Sequence, residues 1–274
     1  MCRPDAAPTT PAKKGHVDDD VHAFLPIVYT EEELEAMRQV KAKMMEADGI
    51  EESRIGLCFL AMTTINCKLR VDEAAKKYAK FLDILSQCGM PDGVDDDLWK
   101  PDAAKELNRY KVCGTDHGGC SIFYIKNESK EGLIVDDDRL HAQGCIMYNL
   151  AIHADARTLR NGITFVIDTS GNKPKFNNKK LQKLHQSFPT RPKNIMIMGT
   201  STVSRVIINA AIKLASVFTK QKILDRIEFV TGEDVLAKMP LESAPTCLGG
   251  NAGGYKSVAE WTKERLAKFP VPEL

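Results

Sequence analysis

Two short stretches hold the residue types that do chemistry. The first is "CGTDHGGC" at 113–120, which places Cys113, His117 and Cys120 in one octapeptide. Joined by His141 or Cys145, which lie four apart on one helical face, they could supply a tetrahedral zinc site. The spacing matches no zinc motif, and a Gly-rich octapeptide between two short apolar runs is also the turn of a β-hairpin. The hairpin reading is preferred, and no metal is expected. The second is Asp168, which ends the apolar run "GITFVID" and precedes "TSG". Strand C-termini of α/β sheets carry ligands and catalytic carboxylates, so Asp168 makes a nucleotide-binding α/β enzyme the alternative reading. No Gly-rich phosphate loop follows the first strand, and "GGNAGG" at 249–254 follows no strand at all. Asp168 therefore reads as a turn-forming or helix-capping residue. No catalytic residue and no cofactor is assigned.

The elements that must position these residues fall into three parts. Residues 1–25 are rich in Pro, Ala, Thr and Asp with no apolar period, and are expected to be a disordered tail. Residues 26–92 read as a helical module. Thr30 and Glu33 make a capping box, and Leu34, Met37, Val40 and Met44 form a helical stripe ending at Asp48-Gly49. A second helix is expected over "SRIGLCFLAM" and a third over "VDEAAKKYAKFLDILSQ", closed by Gly89. Residues 100–270 change pattern. "YKVCGTDHGGCSIFYIKN" predicts a hairpin; "GITFVID", "NIMIMG" and "IEFVTG" predict strands separated by helix-length segments. That alternation predicts an α/β fold with a mostly parallel sheet and crossover helices. The longest helix is expected over "DDDRLHAQGCIMYNLAIHADARTLRNG", and a last one over "SVAEWTKERLAKF", opened by a second capping box at Ser257 and Glu260.

Composition sets bounds. The chain has 274 residues, a net charge of +1, 43% hydrophobic and 27% charged residues, so no overall charge recruits nucleic acid. None of the eight cysteines forms a Cys-x-x-Cys pair, and several sit in apolar runs, as free thiols do in a reducing compartment. "MCRPDAAPTTPAKKG" has no apolar signal core, and no run is long enough to span a bilayer, so a cytoplasmic protein is expected.

One segment does not fit a plain surface helix. From Val203 to Phe218 the only charges are Arg205 and Lys213, and the apolar residues cover more than one face. A core helix buried on both sides would look like this. So would a helix that covers an apolar cavity and swings open. Each large side chain then exposed to water would cost about 1.5–3 kcal/mol, which a ligand or membrane would offset.

Motif order bears on that choice. "SFPTRPKNIMIMGTSTV" resembles the "YPER-x-x-x-IYIINAP" segment of the CRAL-TRIO lipid-binding family. "FLAM…VDEAAKKYAKFL", "GITFVIDTSG", "TKQKILDRIEFVTGED" and "MPLESAPTCLGGNAGG" resemble further family segments, in unbroken order over roughly residues 30 to 265. The resemblance implies a helical module docked on a domain whose sheet floors an apolar pocket, with 203–218 as a gate. It implies a hydrophobic small molecule or phospholipid as ligand, and peripheral, reversible association with an anionic membrane. By alternation and resemblance the pocket is expected to be lined by Phe165, Ile167, Ile195 and Ile197, with Leu184, Phe188, Val206, Ile207, Ala210 and Leu214 from helices. A parity slip of one residue would exchange the strand set for neighbours such as Met196 and Met198. Arg191, Lys193, Lys220, Lys222 and Arg226 each read alone as solvated cations. As a group they match positions where tocopherol-transferring members place a phosphoinositide-binding patch, so a module that reads phosphoinositides to place a partner at a membrane, without transfer, is a second alternative. The sequence also departs from the family pattern: Thr190 stands for the "YPER" Glu, Ala61 for the first "FLRARK" Arg, and "GTST" at 199–202 for "NAP".

Overall fold

The computed structural model describes residues 25–87, 89–90, 110–126, 153–170, 187, 189, 191–199, 224–250 and 267–274; for 110–113 it gives the backbone alone. Three helices open the chain: α1 (Glu31–Ala47), α2 (Leu57–Asn66) and α3 (Val71–Gln87). The capping box of α1 forms as expected, with the Thr30 side chain accepting from the Glu33 N–H and the Glu33 carboxylate accepting from the Thr30 N–H. Met37, Val40 and Met44 are fully buried on its inner face. The expected second helix begins later than "SRIGLCFLAM" suggested. Glu52–Arg54 is a single 3-10 turn, and the helix proper starts at Leu57 after Gly56. From Phe59 to Ile65 every residue of α2 is buried, so α2 is the central rod of the module.

The turn from α2 to α3 is tight. Lys68 and Leu69 both have positive φ, at 55° and 58°, a conformation that costs a side-chain-bearing residue roughly 1–2 kcal/mol. The bond from Leu69 N–H to Thr64 C=O holds it.

The sheet has five strands in the order β1 (Tyr110–Thr115), β2 (Ser121–Lys126), β3 (Ile163–Asp168), β4 (Pro192–Met198) and β5 (Ile227–Phe229). The β1–β2 pair is antiparallel and the other three pairs are parallel. A short helix α4 (Ala156–Asn161) precedes β3, and α5 (Gly232–Ala237) follows β5. The span expected as one long helix to Asn161 is not helical at His153–Asp155. Asp155 is extended (φ −121°, ψ 140°) and caps α4 by accepting from the N–H groups of Arg157 and Thr158. Its earlier part, and the helix expected at "SVAEWTKERLAKF", lie outside the described residues.

Two cores result. One joins α1–α3 to Ala154, Ala156, Leu159 and Phe269, so the helical module shares its interior with the segment before β3 and with the chain's last residues. The other packs one sheet face, with Ile122, Tyr124, Val166, Met196 and Met198, against Val235, Met239 and Ala244. A polar seam closes the first: Arg160 donates to both oxygens of Glu33 at 2.8 Å and to the Val28 carbonyl at 2.7 Å. Leu25, the last residue of the segment expected to be tail, is tied to the fold: its N–H donates to Asp155 and its C=O accepts from Ala156.

Candidate functional site

Strand register decides what each sheet face presents, because residues paired across adjacent strands point the same way. Phe123, Phe165, Ile195 and Ile227 are one such row, and Ile125, Ile167, Ile197 and Phe229 the next. Every residue in both rows is apolar. Phe123 and Phe165 meet edge to face, with ring centroids 5.9 Å apart. Phe123 and Ile197 are buried; the other six are only half-buried. The four strand residues expected at the pocket, Phe165, Ile167, Ile195 and Ile197, thus share one face. Met196 and Met198 belong to the packed face. Leu184, Phe188, Val206, Ile207, Ala210 and Leu214 lie outside the described residues, as does the whole expected gate.

The packed face carries the buried polar groups. Asp168, at the end of β3, accepts from the Tyr124 hydroxyl at 2.6 Å and from the Ser170 N–H and hydroxyl at 2.8 and 2.6 Å, with the Lys126 ammonium at 3.7 Å. Burial alone would raise its pKa; the bonds from Ser170 and Tyr124 outweigh it and hold the carboxyl below its ordinary range. The Tyr124 phenol is pushed far above its usual value, first by burial and then by Asp168. Thr169 adds two bonds to the Met198 carbonyl, from N–H (3.0 Å) and hydroxyl (2.8 Å). A carboxylate engaged in this way ties the ends of β2, β3 and β4 together, which matches the turn-forming reading of Asp168. Gly199 sits against it: a Cβ there would lie 2.8 Å from Ser170 N and 2.9 Å from the Asp168 carboxylate, at φ +72°. That contact accounts for a glycine at the start of "GTST".

The hairpin turn is organised by Asp116, which sequence reasoning passed over. One oxygen accepts from the N–H groups of Gly118 and Cys120; the other accepts from the Thr164 hydroxyl and from Lys193 at 2.7 Å. An Asp followed by a Gly-rich turn was the available signal. Cys120 is buried, and burial with nearby Asp116 raises its thiol pKa. His141, Cys145 and the Cys113 side chain lie outside the described residues. Among the described ones no His, Cys, Asp and Glu cluster is arranged as a metal site.

The basic group divides too. Lys220 and Lys222 lie outside the described residues. Lys193 is half-buried; burial would lower its pKa, but its pairing with Asp116 raises it. Arg191 donates to the Arg160 carbonyl at 2.6 Å, and Arg226 to the Pro192 carbonyl. These three cations therefore stand where the parallel strands β4 and β5 begin, each tethered to the backbone or to a carboxylate.

Comparison with known proteins assigns the family. Residues 108–250, just over half of the chain, match the CRAL/TRIO domain, and the chain belongs to that family of lipid- and small-hydrophobe-binding proteins. It is 32% identical over 166 residues to mouse tyrosine-protein phosphatase non-receptor type 9, covering 54% of this chain and 27% of that protein. The human protein of the same name is 32% identical over 116 residues, covering 40% of this chain and 18% of its own. The chain thus spans about a quarter or less of these relatives. The crystal structure of Sfh5 overlays 88% of this chain and 98% of its own, at a TM-score of 0.43 and 12% identity, a likeness too low to argue from. Among the described residues no helix is long and apolar enough to cross a membrane.

Proposed function

We propose that this protein binds one hydrophobic molecule or lipid against the apolar sheet face and carries or presents it between membranes, without catalysing a reaction on it. The observation that carries this is the pair of apolar rows across β2–β5, six of whose eight residues are incompletely buried. A large apolar surface left partly open is costly in water, and a bound apolar molecule would remove that cost. Phe165, Ile167, Ile195 and Ile197 are the floor in this reading, and the expected helix residues Leu184, Phe188, Val206, Ile207, Ala210 and Leu214 the cover. Shielding apolar surface needs no general base, and the bonds around Asp168 disfavour its use as one. The phosphatase activity named in the relatives is not carried to this chain, which matches a minor part of them. We read the setting as cytoplasmic, with reversible association to an anionic membrane.

An organic extract of the purified full chain tests the reading. Co-purifying lipid or apolar small molecule is expected, and Ile167→Glu should lose it while remaining folded, because a carboxylate in an apolar site has no partner once lipid enters. Bound nucleotide instead of lipid would favour the enzyme reading. The membrane step is tested separately. Changing Arg191, Lys193, Lys220, Lys222 and Arg226 to Gln should slow transfer to phosphoinositide-containing vesicles and spare ligand affinity. High salt should have the same effect, as the Debye length falls to ~3 Å at 1 M. Wild-type transfer by the five-Gln variant would reduce the patch to a solvated face.

A further inference from the structure

The open sheet face has an aromatic residue at its centre. Phe165 and Ile167 lie on β3, the middle strand of the five, with β2 and β4 on either side. No sheet edge is there to expose them. Both are nevertheless only half-buried, whereas Thr164 and Val166, which alternate with them toward the other face, are 2% and 0% exposed. Their exposure therefore comes from above this face, and water can reach the middle of the floor. The ring of Phe165 is held there from one side. It meets Phe123 edge to face, with ring planes at 88° and centroids 5.9 Å apart, and Phe123 is 1% exposed. Among the described residues Phe123 is the only ring that Phe165 meets. A ring fixed by a buried partner and reached by water elsewhere is a contact surface whose orientation is set before a ligand arrives. Its faces carry partial negative charge and its edge partial positive charge. A second ring therefore gains more from it than an aliphatic group of the same area.

We propose that Phe165 selects for a ring: the ligand sets an uncharged aromatic ring against Phe165 and a saturated portion against Ile167, Ile195 and Ile197. The proposal rests on the hydrophobic-ligand reading and adds the chemical class of the ligand. The neighbours of Phe165 divide the floor accordingly. Ile195 is paired beside it on β4, and Ile167 and Ile197 are paired in the next row, so the surface beyond the ring is aliphatic. The ring carries no charge, because the two rows hold no polar group to pair with one. A wholly aliphatic ligand would cover the same floor and leave the ring–ring contact unmade.

The test uses two probes of equal carbon number, dodecylbenzene and dodecylcyclohexane, delivered from cyclodextrin to the full chain. They share the tail and differ in whether the ring is aromatic. The readout is the ratio of their affinities, compared between wild type and variants so that the preference of cyclodextrin itself cancels. Phe165→Leu keeps the floor apolar and removes the ring; it should lower the dodecylbenzene-to-dodecylcyclohexane ratio by about fivefold. Phe165→Met should do the same and serves if the Leu variant does not fold. Ile195→Val, on the same floor, should leave the ratio at its wild-type value. A ratio unchanged in the Phe165 variants, or lowered as far by Ile195→Val, would overturn the proposal. Failure of both probes to bind wild type would instead count against the hydrophobic-ligand reading itself.

Discussion

The two faces of the sheet are built from the same four strands and differ in how they are completed. On one, Ile122, Tyr124, Val166, Met196 and Met198 are sealed by Val235, Met239 and Ala244, and its polar groups are tied off at Asp168. On the other, two rows of apolar residues remain for the most part half-buried, with no polar group among them. The first face has the composition of a core whose partners come from the chain. The second is more uniformly apolar yet less buried, as the proposed floor of a ligand site requires. The lesson is that polarity alone would rank these faces the wrong way round: the core face carries the carboxylate, the phenol and the ammonium.

The largest effect should come from treating the two faces alike. Met196→Asp puts a carboxylate into the sealed core and should leave the protein unfolded, while Ile167→Glu on the other face should fold and lose lipid, as read by circular dichroism and extraction. Truncations repeat the contrast more mildly. Met196→Ala should cost about 2–5 kcal/mol in urea unfolding, and Ile195→Ala well under half of that. Equal losses would break the distinction between the faces.

Acid offers a perturbation that spares both faces. His153 is buried neutral, with its pKa lowered from 6.5 to about 4. Between those values the unfolded chain binds more protons than the folded one. Stability should therefore fall as pH drops from about 6.5 to about 4, by up to about 3 kcal/mol, and the dependence should level off below. His153→Gln should flatten that window. Asp168 acts lower. Its folded pKa is depressed, so its contribution is present above the ordinary carboxylate value and is lost as pH falls through the folded one. Asp168→Asn should cost about 1–3 kcal/mol at neutral pH and leave ligand uptake unchanged, which would mark the network as part of the sealed face. The smallest effect is expected in the turn between α2 and α3: Lys68→Gly should stabilise by about 0.5–1 kcal/mol, by relieving a left-handed backbone at an exposed residue.

Much was readable without coordinates wherever the deciding interactions are local. The capping box at Thr30 and Glu33, the span of α3, the hairpin around "TDHGG" and the three later strands follow from periods, caps and turn residues within a few positions of each other. The family, too, lay in the order of short motifs. What was misread depended on distant contacts. α2 starts late because Gly56 accepts from the Tyr78 hydroxyl on α3, and the expected long helix is not continuous into α4 because Asp155 turns to cap α4 and bind Leu25. Alternation alone could say that Phe165 and Ile167 share a face, since side chains in a strand have period two. It could not say which face the chain itself covers, because that depends on how far apart in sequence the covering residues lie: Val235, Met239 and Ala244 reach Val166 only through the fold. Nor could it show that Lys193 would pair with Asp116, 77 residues away, or that the Thr63 hydroxyl would be buried without a hydrogen-bond partner among the described residues. Local sequence determined the elements and their inward and outward phases; only tertiary packing decided which polar groups were satisfied and which apolar surface stayed half-buried.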